Sequence, residues 1–260
     1  MANAQITTYL GDETAFYAET KQLNQFIRRF NNEENKDGVR YQPNDKRYRN
    51  EEDRKKYLEI LFDASNVQLT RDKKSSFIAD VTQKGEPAFL DFHQDGWFAE
   101  VEAIFNYQGK EEKVVLFMKI EQEKLGYKWV LTNVHFEPYA RMFKPNLHQG
   151  TKQFLHPMSH ELDFMNLNKA FEDKTNIEDY ADQHFAPNYL SLFFYEFKKG
   201  LFVFKTVSDV KFHFFQVKNW YFEVTEFNRQ GLNRGWLISN LTKVPENQKE
   251  MFRKFILREQ

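Results

Sequence analysis

Three side chains able to share a proton or a divalent metal stand at alternate positions in Asp91-Phe92-His93-Gln94-Asp95. On a strand they would share one face, where an imidazole between two carboxylates suits acid–base work or metal ligation. The Asp95-Gly96 pair that follows reads as a turn, so the favoured reading is a solvated strand end. His156 and His160 have the i, i+4 spacing of a helical zinc pair. Pro157 and a helix cap at Ser159 put them on either side of a helix start, and no metal is expected. Asn133 and Asn240 could line a pocket and bind a polar ligand or close the sheet by satisfying backbone groups; the second reading is favoured. His135 stands beside Asn133 where the corresponding later position holds Thr242.

A basic stretch interleaved with tyrosine runs from Asn35 to Asn50 and includes Arg40, Tyr41, Arg47 and Tyr48. Such a run can grip anionic groups and stack on rings, although most are solvated loops. Glu51, Glu52 and Asp53 partly neutralise it. Deleting Lys36 to Arg49 is expected to leave the fold intact and to weaken binding. No Gly-rich phosphate loop, nucleophile elbow, metalloprotease signature or dinucleotide fingerprint is present. No cofactor is expected.

The elements that must position these groups form an internal repeat. Trp129-Val-Leu-Thr-Asn133-Val134 returns 107 residues later as Trp236-Leu-Ile-Ser-Asn240-Leu241, and Pro138 and Pro245 keep that spacing. Strand-like stretches Phe98 to Tyr107 and Val114 to Gln122 answer to Val210 to Val217 and Trp220 to Phe227. Leu23, Phe26 and Phe30 share one helical face, as do Phe164, Leu167 and Phe171. A shorter helical pattern follows each trio, at Tyr57 to Phe62 and at Ile177 to His184. Phe89 to Phe92 and Leu201 to Phe204 read as short strands, and Pro145 to Ser159 as a linker. The expected class is α+β, in two tandem helix-plus-curved-antiparallel-sheet domains at 10–147, with the extra loop 35–50, and at 155–260.

Helix, short helix and then a meander of long strands whose last begins near a Trp resembles the NTF2-like (cystatin-like, cone-shaped) superfamily, present twice. The resemblance covers nearly the whole chain and rests on element order. It implies a concave sheet closed by helices into a conical pocket, in a group that holds isomerases, dehydratases and non-catalytic binding modules. The chain also resembles proteins of gut-type Bacteroidetes that carry no assigned activity, which adds no chemistry.

Composition narrows the partners. The 37 basic residues balance 38 acidic ones, which removes the electrostatic drive for nucleic-acid binding. No apolar run approaches a membrane span. There is no cysteine, and 28 Phe with 12 Tyr provide large apolar area for a core. Ala2-x-Ala4 has the small-x-small form of a signal-peptidase site with no apolar region before it, which leaves a periplasmic or secreted and a cytoplasmic location both open. Two functions follow from different classes. One is a non-catalytic binding or interaction protein for a small molecule or a protein. The other is a small-molecule isomerase, dehydratase or hydrolase with a pocket carboxylate or His as general base. The first is favoured, and any binding is expected in the first unit.

Overall fold

A computed structural model describes residues 23–35, 38–124, 126–143, 171–172, 177–182, 184–230 and 233–259. The Ala2/Ala4 start, the Pro145–Ser159 linker, the His156/His160 pair, Phe164, Leu167 and Lys36 lie outside the described residues.

Helical residues 23–31 (α1) bury Leu23, Phe26 and Phe30 on one face, as their spacing requires. α2 (Glu51–Ile60) begins where the Asn50 side chain accepts from the Asp53 amide, with three acidic residues against the positive end of the helix. α3 (Arg71–Val81) is capped by Thr70 and buries Phe77 and Val81. α5 (Tyr189–Lys198) is capped by Asn188. Neither α3 nor α5 is among the elements expected from the sequence. The first has a single i, i+4 apolar pair in a polar run, and the second is apolar nearly all round, so neither shows a helical stripe. The pattern at Ile177 to His184 yields a 3₁₀ turn at Ile177–Tyr180. Phe89 to Phe92, expected as a strand, has no strand pairing.

The strands are β1 (Trp97–Tyr107), β2 (Lys110–Glu123), β3 (Gly126–Phe136), β4 (Phe202–Phe214), β5 (Trp220–Phe227) and β6 (Gly235–Lys243). They make one antiparallel sheet in the order β3-β2-β1-β4-β5-β6. The class is therefore mixed α+β, with the six strands in one sheet; two separate sheets are not seen. Two meanders meet through β1 and β4, with Val101 opposite Val210. The Trp-x-x-[ST]-Asn strands, β3 and β6, form the two outer edges. Each carries a one-residue bulge at the matched position, Thr132 on β3 and Ser239 on β6. Each bulged hydroxyl donates to the facing carbonyl, Thr132 to Phe117 at 3.1 Å and Ser239 to Glu223 at 3.3 Å.

One face of the sheet is apolar along its length. There Trp97, Phe214, Phe222 and Phe30 lie in a stacked row with ring centroids 5.0–5.9 Å apart, and Phe77 meets Phe222 and Trp220 edge-on. α1–α3 cover the β4–β6 end of this face together with part of β1. At the other end, α5 and α4 (Glu137–Met142) cover Phe105, Val114, Val134 and Phe136. Helices of the first half thus pack on strands of the second, and the reverse. The opposite face carries α6 (Glu246–Ile256), with Phe252 and Ile256 against Phe98, Phe117, Phe215 and Tyr221.

Arg54 fixes the first helical layer. Its guanidinium, 1% exposed, donates to the carbonyls of Phe30 (2.9 Å), Val81 (2.9 Å) and Ala88 and lies over the Phe30 and Phe89 rings. Two of those carbonyls end helices, where the dipole favours a cation. Burial, with Arg49 nearby, pushes the Arg54 pKa down to about 10, which still leaves it charged at neutral pH.

Candidate functional site

Where α1 and α2 cross the β5–β6 hairpin they leave a cleft of about 660 Å³, within the range of small-molecule sites. The Arg229 guanidinium ties this hairpin down, donating to the Asn233 carbonyl at 2.7 Å, Ser65 Oγ at 3.0 Å and Asp63 Oδ1 at 2.6 Å. Asn233 in turn donates to the Phe62 carbonyl at 2.8 Å and accepts from the Ala64 amide at 2.8 Å. Gly235, with φ at +81°, takes the left-handed turn between Arg234 and Trp236. The floor is apolar and aromatic: Phe26, Leu61, Trp236 and Leu237 are all buried. Tyr57, Phe227 and the exposed Ile60 complete the apolar wall.

The polar groups are few. Arg29 of α1 enters the cleft with its Nε shielded from solvent and without a hydrogen bond. That atom lies 3.5 Å from Glu34 Oε1, within ion-pair reach but outside hydrogen-bond geometry. The Glu34 carboxylate, 1% exposed, already accepts from Gln25 at 2.7 Å and from Arg28 at 2.8 Å. Arg234 and Glu226 stand on the hairpin side, and neither forms an ion pair among the described residues.

The residues expected from the sequence to bind a ligand do not line this cleft; they fall in separate places. In the loop, Arg47 pairs with Asp45 at 2.7 Å and stacks over Tyr41. Tyr48 reaches Glu33 at 3.4 Å, and Arg40 is exposed, its backbone bridged to Glu34. Backbone bonds from Tyr41 to Glu33 and from Arg49 to Asn32 sew this loop to the end of α1. Asp91 and His93 approach only to 4.0 Å; the Asp91 carboxylate accepts from the His93 amide at 2.8 Å and the imidazole packs on Tyr127. Among the described residues no group of three or more His, Cys, Asp or Glu could hold a metal, and no helix is long and apolar enough to cross a membrane. Asn240 is exposed on the β6 edge.

Asn133 and His135 do share a neighbourhood, on the α6 face of the sheet. Asn133 donates to the Leu257 carbonyl at 2.8 Å and holds the end of α6. Beside it runs a buried row: Glu100 Oε2 is 3.0 Å from His213 Nε2, and His213 Nδ1 is 2.8 Å from the Tyr221 hydroxyl. Burial alone would raise the Glu100 carboxyl, but the His213 hydrogen bond and charge, with Lys211 and Arg258, hold it below its ordinary value. Burial, then Arg258, lowers His135 against the pull of Glu137 and Glu100. Burial, then Glu223 and Glu100, pushes the Tyr221 phenol strongly up.

Sequence reasoning missed the cleft. Trp236 marked the repeat, and Arg28-Arg29 sits between the buried Phe26 and Phe30, but nothing local says that a hairpin some 200 residues away closes over Arg29. Comparison with family models, with curated proteins and with solved structures yields no match to this chain.

Proposed function

We propose that this is a non-catalytic binding protein whose ligand sits in the cleft between α1, α2 and the β5–β6 hairpin. The observation that carries this reading is the lining itself: among the described residues it has a broad aromatic floor, one carboxylate (Glu226), two arginines and no histidine. Such a set orients and holds a ligand but provides no paired acid and base. The alternative, an enzyme with a carboxylate or His as general base, would look to Glu100 and His213. Those two lie on the opposite face of the sheet, beneath α6, and are already joined to each other.

The proposal includes descent from a duplicated NTF2-like unit. What supports it is the 107-residue spacing, the meander order and the matched bulges with their matched hydroxyl bonds. The 10–147 and 155–260 units would then have exchanged helical layers. The test of the binding reading is fluorescence titration with N-phenyl-1-naphthylamine, a neutral flat apolar probe. One saturable site is expected, lost when Ile60→Trp fills the exposed mouth. Unchanged binding to that variant would place the ligand elsewhere and end the proposal.

A further inference from the structure

We infer that the cleft is selective for an organic oxyanion, a carboxylate or phosphate carried on a flat apolar body. The inference rests on the cleft being the binding site and adds the chemical class of its occupant. Two guanidinium groups and one carboxylate line the cleft among the described residues, which leaves the lining with one net positive charge. Glu226 forms no ion pair with either arginine among the described residues. Glu34, behind Arg29, is occupied at both oxygens by Gln25 and Arg28.

Arg29 lines the cleft with 35% of its side chain exposed and makes no hydrogen bond among the described residues, its nearest acceptor being Glu34 at 3.5 Å. Its guanidinium is thus available to an incoming acceptor, and a guanidinium donor is best satisfied by an oxyanion. Phe227 and the exposed Ile60, in the same lining, offer apolar surface to a flat body. A neutral ligand would fill the floor and leave the guanidinium donors unmet. A cationic ligand would meet a lining in which two guanidinium groups outweigh one carboxylate.

The experiment compares 8-anilinonaphthalene-1-sulfonate with N-phenyl-1-naphthylamine, which has the same ring body without the anion. The sulfonate is expected to bind at least ~10-fold more tightly. Arg29→Gln should abolish that margin, and continued saturable binding of the neutral probe then reports that the cleft is intact. Arg234→Gln, an exposed substitution, should reduce the margin without any risk to the fold. Displacement of the sulfonate by 2-naphthoate or by 2-naphthyl phosphate, but not by 2-naphthol, then tells a carboxylate ligand from a phosphate one. Equal binding of both probes, both lost in Ile60→Trp, would keep the cleft and overturn the anion selectivity. So would displacement by 2-naphthol as effective as by the two anions. Binding of either probe that ignores Ile60→Trp would remove the cleft itself.

Discussion

β3 and β6 begin with matching sequence, carry the same bulge and make the same hydroxyl bond to the neighbouring strand, yet their surroundings differ. β6 is sealed along its outer edge. Ile238 exchanges backbone bonds with Leu61 (2.8 Å) and Asp63 (3.0 Å), and the Asn66 side chain donates to the Ser239 carbonyl at 2.7 Å. The outer side of β3 has no such backbone bridge among the described residues. It is instead held from the α6 face, where Asn133 grips the Leu257 carbonyl, while the matching Asn240 stays exposed. Local sequence thus sets the backbone of both strands, whereas the cover of each is set by whichever distant segment reaches it. An unpaired edge invites pairing, and the sealing of β6 also builds the cleft, because the segment that closes it continues from α2.

The sharpest way to break the contrast is to loosen the layer that seals β6. Arg54→Met strips the side-chain donor from three buried carbonyls, of which Val81 keeps the Ala88 amide at 3.0 Å, and a loss of about 3–5 kcal/mol in unfolding free energy is expected. Urea denaturation measures it. Hydrogen exchange should speed up first at β6 amides, with β3 less affected; equal acceleration on both edges would show that the seal is not local. Next comes the lock on the hairpin. Arg229→Ala removes charge-assisted bonds to Asp63, Ser65 and Asn233 and should cost about 1.5–3 kcal/mol, while also weakening probe binding in the cleft. Among the described residues β3 has no counterpart of this lock.

Smaller effects sharpen the comparison at a single matched position. Asn133→Ala is expected to cost about 1 kcal/mol through the lost bond to Leu257, and Asn240→Ala to stay within about 0.5 kcal/mol. Matching thermal shifts for the two would refute the asymmetry. The smallest effect is a pH dependence on the α6 side. His135 is lowered in the folded chain, so below its ordinary value of 6.5 the unfolded chain binds a proton that the folded one resists, and stability falls. Glu100, also lowered, adds a second loss as pH falls below its ordinary 4.5. Denaturant midpoints followed from about pH 8 to 3 should show the upper step vanish in His135→Gln and the lower one diminish in Glu100→Gln.

The amino-acid sequence by itself determined the α+β class, the buried face of α1, most strand positions and the paired ends of the sheet. These rest on short-range rules: alternation of side chains along a strand, 3.6-residue periodicity, capping and turn residues. It did not yield α3 or α5, whose apolar positions make no stripe, or the extended run before β1, where Phe89 meets Arg49 and Arg54 rather than a strand. Of the residues picked out as candidates, Asn133 and His135 were placed near each other because residues two apart on a strand share a face. The others scattered, since chemistry-bearing residue types say nothing of which distant groups face them. Only the tertiary structure decided that first-half helices lie on second-half strands, and through this that Arg29 and Trp236 share a cleft. That choice is made by fitting whole apolar surfaces together, a long-range balance that no local pattern along the chain encodes.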